Sequence, residues 1–372
     1  MKDKVYYLTS ESVTQGHPDK ICDFIADSIL DAFLKEDKYS RVAIEVMASN
    51  NKIYITGQIT SNAKNINIEK LVRNKIKEIG YDDINIGLDY NTCEIIIDII
   101  KQSKDIGAKV DNGGAGDQGV MFGYACNETE QYMPYGIMLS HKLVERLDVL
   151  RKKEFLPYLR PDGKSQVTMK YKNNKVDKID TIIISAQHNS KVDLSELRAD
   201  ILKYVILPSI DMNLFNENTK VIINTVGKFE IGGTIGDTGL TGRKIIVDSY
   251  GGYARHGGGA FSGKDATKVD RSASYMLRYI AKNIVANGLA DKCELQVSYE
   301  IGIEEPISFF IETFGTEKIP KYKIYEIVKN KFDLRPNEII KSLDLRKPIF
   351  SNTSNYGHFG REGFNWEQII QI

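Results

Sequence analysis

RVAIEVMASNNKIYITGQIT, residues 41–60, alternates apolar and polar side chains on both sides of an S-N-N turn at 49–51. That alternation predicts a β-hairpin. Before it, residues 21–33 place their apolar side chains on one face of a helix. After it, a second amphipathic helix over about 68–79 precedes an apolar strand around 93–101. The stretch therefore predicts a unit of helix, hairpin, helix and strand.

The same order of elements returns twice along the chain. The second copy consists of a helix near 135–153, a hairpin at 166–187, a helix near 194–207 and a strand at 220–226. The third copy consists of a helix at 268–287, paired strands at 293–314, a helix near 321–332 and a weaker strand at 346–350. Pro348 would confine that last strand to a sheet edge. Coincidence is an alternative because such elements are common, but the matched order and spacing favour a repeat.

The repeat predicts an α+β fold of three structurally related domains, each a small mixed sheet with helices on one face. Packing the three sheets around a pseudo-threefold axis would cover their apolar faces. The predicted bounds are an N-terminal domain at 1–103, a central domain at 113–230 and a C-terminal domain at 231–372.

Composition and charge narrow the functional classes. Fifty basic residues balance fifty acidic ones in a chain of 372, so net charge gives no reason to expect a nucleic-acid or membrane partner. The four cysteines are far apart and form no CxxC pair, so neither a zinc site nor a disulfide framework is expected. The N-terminus has no apolar signal region, and the longest apolar runs are strand-sized. We expect a soluble, cytoplasmic protein.

Charged residues are concentrated in segments rich in glycine. GHPDK at 16–20 suits an ordinary helix start, since proline and aspartate are favoured there. An imidazole, a carboxylate and an ammonium within four positions would also suit an anion and its Mg²⁺. GGAGDQG at 113–119 is typical either of a flexible connector or of a loop whose backbone amides approach a ligand.

The densest cluster extends from residue 232 to residue 271. GGTIGDTGLTGRK at 232–244 leads into an apolar strand predicted at 245–247, and GGYARHGGGAFSGKD at 251–265 precedes a helix start at 268–271. Amides and cationic side chains bind phosphate oxygens, while carboxylates hold divalent metal. The cluster predicts polyphosphate and metal binding without selecting a reaction. The chain contains no Ser-His-Asp order, zinc motif or kinase signature.

Together these segments resemble the methionine adenosyltransferase family over essentially the whole chain. The matching stretches are GHPDK at 16–20, GAGDQG at 114–119, GLTGRKIIVDSYGG at 239–252, RHGGGAFSGKD at 255–265, KVDRSA at 268–273 and YGHFGRE at 356–362. The resemblance implies three related α+β domains around a pseudo-threefold axis. It also implies a tight homodimer, often a pair of dimers, with active sites at the subunit interface.

The resemblance further implies the reaction. The sulfur of L-methionine would attack C5′ of ATP, releasing intact triphosphate, which the same site would cleave to pyrophosphate and phosphate. Two Mg²⁺ ions and a K⁺ ion would be bound at each site.

Residue roles follow from the resemblance by position. The catalytic groups would be His17, beside the leaving O5′, and the triphosphate-binding cations Lys164, Arg243 and Lys264. The other ATP contacts would be Asp162, Lys228, Phe229, Asp237, Lys244 and Ala260. The methionine contacts would be Gln58, Gln102, Asp237 and Lys268. The carboxylates would be Asp19 and Asp270 for Mg²⁺, Glu45 for K⁺ and Asp117 as a further active-site group.

The chain departs from the family pattern in two places. Gln58 stands where many bacterial members have a glutamate directed toward the methionine ammonium, so a weaker methionine affinity is expected. Residues 103–112 form a shorter segment than the mobile gating loop of typical bacterial relatives, which would alter turnover if opening limits product release.

Three other functions are weighed against the transferase. A non-catalytic ATP- or polyphosphate-binding regulator would be expected to lose the charged residues around the phosphates, and these are present. A plain triphosphatase is supported only by Gln58. A structural repeat protein would leave the charged glycine segments without a purpose.

Overall fold

The computed structural model describes residues 4–101 and 113–372. The strands are β1 (Val5–Val13), β2 (Arg41–Ser49), β3 (Lys52–Thr60), β4 (Asp82–Asp83), β5 (Leu88–Asp89), β6 (Glu94–Ile100), β7 (Gly119–Cys126), β8 (Leu159–Lys172), β9 (Lys175–His188), β10 (Lys220–Ile223), β11 (Gly239–Leu240), β12 (Lys292–Tyr299) and β13 (Ser308–Glu312). The α-helices are α1 (Pro18–Glu36), α2 (Ile68–Ile79), α3 (Tyr135–Lys152), α4 (Leu194–Asp200), α5 (Gly233–Gly236), α6 (Ile245–Asp248), α7 (Val269–Ala286), α8 (Lys321–Lys331) and α9 (Pro336–Ser342). A π-helical segment, Ile201–Ile206, extends α4.

The strands form three larger sheets, each with helices against it, so the predicted α+β fold of three domains is confirmed. The N-terminal sheet has the order β11-β2-β3-β6, the central sheet β1-β8-β9-β10 and the C-terminal sheet β13-β12-β7. Helix α1 packs on β2, α3 on β8 and β1, and α7 on β7 and β12. The hairpins and long helices of the repeat are confirmed, although β8 begins at Leu159 and not at the predicted residue 166.

Each larger sheet takes one edge strand from a different predicted domain. Strand β1 pairs antiparallel with β8 of the central hairpin, so Val5 lies opposite Lys172. Strand β7 pairs with β12 in the C-terminal sheet, and the short β11 pairs with β2 in the N-terminal sheet. The sheets are therefore built by a cyclic exchange of strands, while the linear domain bounds stay a prediction.

Two predicted strands are wrong. Residues 245–247 belong to the one-turn helix α6, which the Asp248 N–H closes by donating to the Lys244 carbonyl at 2.8 Å. Residues 346–350 form turns followed by a 3₁₀ turn at Phe350–Asn352. The Phe350 N–H donates to the Asp31 carboxylate, so it is not available to a strand partner. The third strand of that sheet is β7 instead.

Buried apolar side chains form two cores. One core contains α1, α7 and the inner faces of the N-terminal and C-terminal sheets. The other lies between the central sheet and α3 and α4. No helix within residues 4–101 and 113–372 is long and apolar enough to cross a membrane.

Candidate active site

The N-terminus of α1 is built by the GHPDK segment. His17 is the N-cap, and its Nδ1 accepts a hydrogen bond from the Asp19 N–H at 3.2 Å. Pro18 occupies the first helical turn. A backbone N–H there would have no acceptor within the helix, so its absence in proline costs no hydrogen bond. Burial, followed by the charges of Lys244 and Lys164, lowers the pKa of His17 to about 3. The imidazole is therefore neutral at physiological pH.

Asp19 connects this helix to the segment that carries Arg243 and Lys244. Its Oδ1 accepts from the Leu240 N–H at 3.0 Å, and its Oδ2 lies 2.5 Å from Lys244 Nζ. Burial acts to raise the pKa of Asp19, but the contact with Lys244 outweighs it and the pKa is lowered. Arg243 lies 3.9 Å from Asp19 Oδ1 and keeps about half of its side chain exposed, at 53%. A half-exposed guanidinium, which also donates to the Thr238 carbonyl at 3.2 Å, and a held ammonium thus lie at Asp19, two residues along the chain from His17.

Asp162 and Lys164 approach the same place from β8. Lys164 is exposed and contributes to the low pKa of His17. Asp162 is buried, and its Oδ2 accepts from the Gly233 N–H at 2.9 Å. Burial raises the pKa of Asp162 to about 6, and the charge of Asp237 adds to that rise. His17, Asp19, Asp162, Lys164, Asp237, Arg243 and Lys244 form what we call the first group.

Two predicted ATP contacts lie on the connection that follows β10. Lys228 is exposed and forms an ion pair with Glu230 at 3.3 Å. The Phe229 backbone exchanges two hydrogen bonds with His188, one with its N–H and one with its Nε2. The Gln187 side chain joins this connection to Asp162. Its amide nitrogen donates to the Glu230 carbonyl, and its amide oxygen accepts from the Asp162 N–H. The connection is therefore tied to the first group through its backbone.

A second group surrounds Lys264 and Asp270. The Lys264 Nζ donates to Asp270 Oδ2 at 2.7 Å, and the Lys264 backbone bridges Ala43 of β2. Burial raises the pKa of Glu45, two residues along β2, while the charge of Lys264 opposes that rise. Only glycine fits at Gly259, because a Cβ there would lie 2.2 Å from Asp270 Oδ1.

Several predicted contacts lie around the second group. Gln58 is exposed on β3 opposite Ala43, and so lies on the same sheet face as Glu45. Lys268 is the N-cap of α7, and its Nζ lies 2.5 Å from Asp265 Oδ2. The remaining members are Ala260, in the glycine run before Lys264, and Asp117, two residues before Gly119. A Cβ at Gly119 would lie 3.5 Å from Asp270 Oδ1. Gln102 and residues 103–112 lie outside the described residues.

Among the described residues of one chain, no hydrogen bond or ion pair joins the side chains of the first group to those of the second. Each group instead pairs a lysine with a carboxylate of its own. The structure thus brings most of the predicted residues into two places rather than one.

The donor set fits Mg²⁺ that arrives with a polyphosphate. Across residues 4–101 and 113–372, no three His, Cys, Asp or Glu side chains converge as a metal site made by protein alone. Mg²⁺ is commonly held by one or two carboxylates together with substrate phosphate oxygens. Asp19 and Asp270, each beside a lysine that could turn to a phosphate, meet that requirement.

Lys20, the ammonium of the GHPDK motif, lies in a buried cluster of charges behind the first group and not at an open anion site, and its partner Asp23 was not predicted as a site residue. Lys20 is 1% exposed and lies 2.9 Å from Asp23 and 2.5 Å from Asp248. Asp23 also accepts from the Gly242 N–H at 2.9 Å. One signal was available: carboxylates recur every fourth residue along α1, at Asp19, Asp23, Asp27 and Asp31. Such spacing places them on one stripe of the helix.

Comparison with known proteins covers almost the entire chain. Three family models match in order: the N-terminal domain of S-adenosylmethionine synthetase at residues 5–104, the central domain at 112–229 and the C-terminal domain at 231–368. The chain is 52% identical to the S-adenosylmethionine synthases of Finegoldia magna, Clostridium botulinum and Clostridium tetani. Each alignment spans 98% of this chain and 97% of the relative.

We expect His17 to stay neutral from pH 8 to pH 5. Its folded pKa of about 3 lies below the ordinary histidine pKa of about 6.5, so the unfolded chain binds more protons between those two pH values. The contribution of His17 to stability is therefore lost as pH falls through that window. Nitrogen-15 NMR of histidine-labelled protein would measure the titration, with His17→Asn identifying the resonance. A His17 midpoint near 6.5 would contradict the assignment.

Proposed function

The chain belongs to the S-adenosylmethionine synthetase family, and on that basis we propose how its residues catalyse adenosyl transfer. It is a methionine adenosyltransferase. The sulfur of L-methionine attacks C5′ of ATP in line with the leaving oxygen, and the triphosphate departs intact. The same site then cleaves triphosphate to pyrophosphate and phosphate. The observation that carries the proposal is a neutral His17 at a helix N-terminus beside Lys164, Arg243 and Lys244.

His17 is suited to hydrogen-bond the leaving oxygen. Its Nδ1 accepts from the Asp19 N–H, so the proton of the neutral ring is on Nε2. A neutral Nε2–H donor can stabilise negative charge that develops on O5′ as the C5′–O5′ bond breaks. The uncharged thioether is a modest nucleophile, so positioning and stabilisation of the leaving group supply much of the catalysis.

The cations of both groups would bind the polyphosphate. Lys164, Arg243 and Lys264 act as catalytic groups that bind phosphate oxygens, and Lys244 exchanges its contact with Asp19 for a phosphate. Mg²⁺ bound through Asp19 and Asp270, two ions per site, would neutralise the charge that accumulates on those oxygens. Glu45 is the carboxylate proposed for K⁺, and Asp117 is a further carboxylate near Asp270.

Asp162 supports an adenosine position beside the first group. Its Oδ1 is buried and accepts no hydrogen bond from the residues that the structure describes. A hydroxyl donor of ATP would satisfy that oxygen, whose burial is otherwise unfavourable. Further proposed ATP contacts are Lys228, Phe229, Asp237 and Ala260, and proposed methionine contacts are Gln58, Gln102, Asp237 and Lys268.

A homodimer with shared sites would unite the two groups. The outer face of the N-terminal sheet exposes Leu240, Met47 and Ile96, with Tyr54 between the last two in register. The C-terminal sheet exposes Val120 and Phe310. Contiguous exposed apolar side chains of this kind are typical of subunit interfaces. We therefore place the first group of one subunit against the second group of its partner, with a dimer of dimers as a further assembly.

The four cysteines are consistent with a cytoplasmic location, which is part of the proposal. All four are free and buried, as expected in a reducing compartment.

The reaction is tested by incubating the purified protein with ATP, L-methionine, Mg²⁺ and K⁺. We expect the sulfonium product and phosphate to accumulate together, because one site carries out both steps. Mass spectrometry of the product and a phosphate assay measure them, and omission of methionine is the control. Phosphate release that ignores methionine, without sulfonium product, would instead identify a triphosphatase.

Shared sites are tested by mixing two inactive variants. Arg243→Ala alters the first group and Lys264→Ala the second, and each alone should lose most activity. If each site combines the first group of one subunit with the second group of the other, a mixed dimer has one site with both substitutions and one site with neither. Random reassociation should then restore about a quarter of the parent activity. No recovery, with mixed dimers verified by mass spectrometry, would place both groups of a site in one subunit.

Gln58→Glu should tighten methionine binding. A carboxylate gains a charge-assisted hydrogen bond to the substrate ammonium of about 1–2 kcal/mol, which corresponds to roughly 5- to 30-fold in KM. Steady-state kinetics would measure KM for methionine, with kcat expected to change little. Thr60→Glu, the next residue on the same face of β3, is the matched control. An unchanged KM in Gln58→Glu would remove Gln58 from the methionine site.

A further inference from the structure

A fully buried ion pair lies behind the second group. Arg271 donates to both oxygens of Asp27, from Nη1 at 2.7 Å and from Nη2 at 2.9 Å. Both side chains are 0% exposed. The pair connects α1 with the first turn of α7, and Thr353 accepts a further hydrogen bond from Arg271 Nη2 at 3.0 Å.

The same two side chains hold the backbone on both sides of Lys264. Asp27 Oδ1 accepts from the Gly263 N–H at 2.8 Å. Arg271 Nη1 donates to the Lys264 carbonyl at 3.1 Å. Arg271 also directly follows Asp270 along α7, so one bidentate pair holds the backbone of Lys264 and the helix residue next to Asp270.

We propose that Asp27 and Arg271 are positioning residues for the polyphosphate half of the site, acting through Lys264 and Asp270. The inference rests on the proposed function, because it assigns the pair to the placement of phosphate-binding groups. A planar guanidinium that donates to a carboxylate and a carbonyl together has a fixed orientation. Lysine at position 271 keeps the charge but loses that geometry.

The neighbouring carboxylate one turn along α1 provides a matched comparison. Asp31 accepts from the backbone N–H groups of Phe350 and Ser351 at 2.9 and 2.8 Å. It therefore performs the same kind of anchoring between α1 and the C-terminal third. The segment it anchors carries none of the proposed site residues.

The test compares Arg271→Lys and the double variant Asp27→Asn/Arg271→Gln with Asp31→Asn. The double variant removes both buried charges together, so it leaves no unpaired ion in the core. Thermal unfolding reports stability, calorimetry reports the Kd of inorganic tripolyphosphate with Mg²⁺, and steady-state kinetics separates kcat from KM for methionine. We expect the first two variants to weaken tripolyphosphate binding and kcat by about tenfold or more, since small displacements of positioned groups have effects of that size.

In those variants the deciding readout is the Kd of tripolyphosphate and not the KM for methionine, because Lys268, a proposed methionine contact, also lies on the anchored segment between Lys264 and Arg271. Asp31→Asn should lower the melting temperature without changing tripolyphosphate affinity. Folded Arg271→Lys or double variant with the parent affinity for tripolyphosphate would overturn the inference. If the parent itself forms no sulfonium product and does not bind tripolyphosphate, the proposed function fails instead.

Discussion

The structure depends on four aspartates of α1 that are directed into the protein. Their spacing of four residues places them on one stripe, and each accepts hydrogen bonds from backbone N–H groups in the C-terminal half of the chain. The donors are Leu240 for Asp19, Gly242 for Asp23, Gly263 for Asp27, and Phe350 and Ser351 for Asp31. Burying an ionised carboxylate is unfavourable unless hydrogen bonds and opposite charges compensate it. The glycine segments must therefore lie where these carboxylates need them.

The hydrogen bonds that these carboxylates require explain why glycine-rich segments form an ordered site. Glycine-rich segments have high conformational freedom when unfolded, yet these segments are anchored on both sides of the cations they carry. Leu240 and Gly242 are held just before Arg243 and Lys244, and Asp248, bound to Lys20, comes just after them. At Gly239 a Cβ would lie 2.1 Å from the Pro18 carbonyl oxygen, so the chain passes directly against the N-terminus of α1. Close approach, and not flexibility, is the reason for glycine there.

Much of the fold could be predicted from periodicity, because hairpins and amphipathic helices are local. The bounds of α2 follow from the helical period of its apolar side chains, and those of the hairpin β2–β3 from the alternation of apolar and polar side chains. The strands predicted at α6 and at Phe350 are wrong for a related reason. Residues 245–247 are apolar and residues 346–350 end in Ile349 and Phe350, but the flanking Asp248 and the Phe350 N–H bind to side chains of α1. No local pattern reveals those contacts. The exchange of edge strands between thirds is equally non-local.

The sequence predicts which motifs contribute to the site but not how their residues are arranged in space. Residue types and order predict cations and carboxylates for a polyphosphate site, and the structure places most of these residues in two groups. The division of these residues into two groups depends on long-range contacts. Helix α1 holds the segment before Lys244, and α1 and α7 together hold the segment at Lys264. Arg271 lies in the KVDRSA stretch, but no motif indicates a role for it or for Asp27, because the role that we propose for them acts through contacts with the backbone of their neighbours.

The cyclic exchange of strands also has a consequence for biosynthesis. Strand β1 is among the first segments to leave the ribosome, but its partner β8 ends at Lys172. At a translation rate of about 5–20 residues per second, roughly 8 to 30 s pass between the synthesis of β1 and the completion of β8. The N-terminal sheet in turn needs β11, at residues 239–240, before its edge is covered. Nascent chains therefore present unpaired strand edges until late in translation, and a chaperone that shields such edges would improve the yield of native protein.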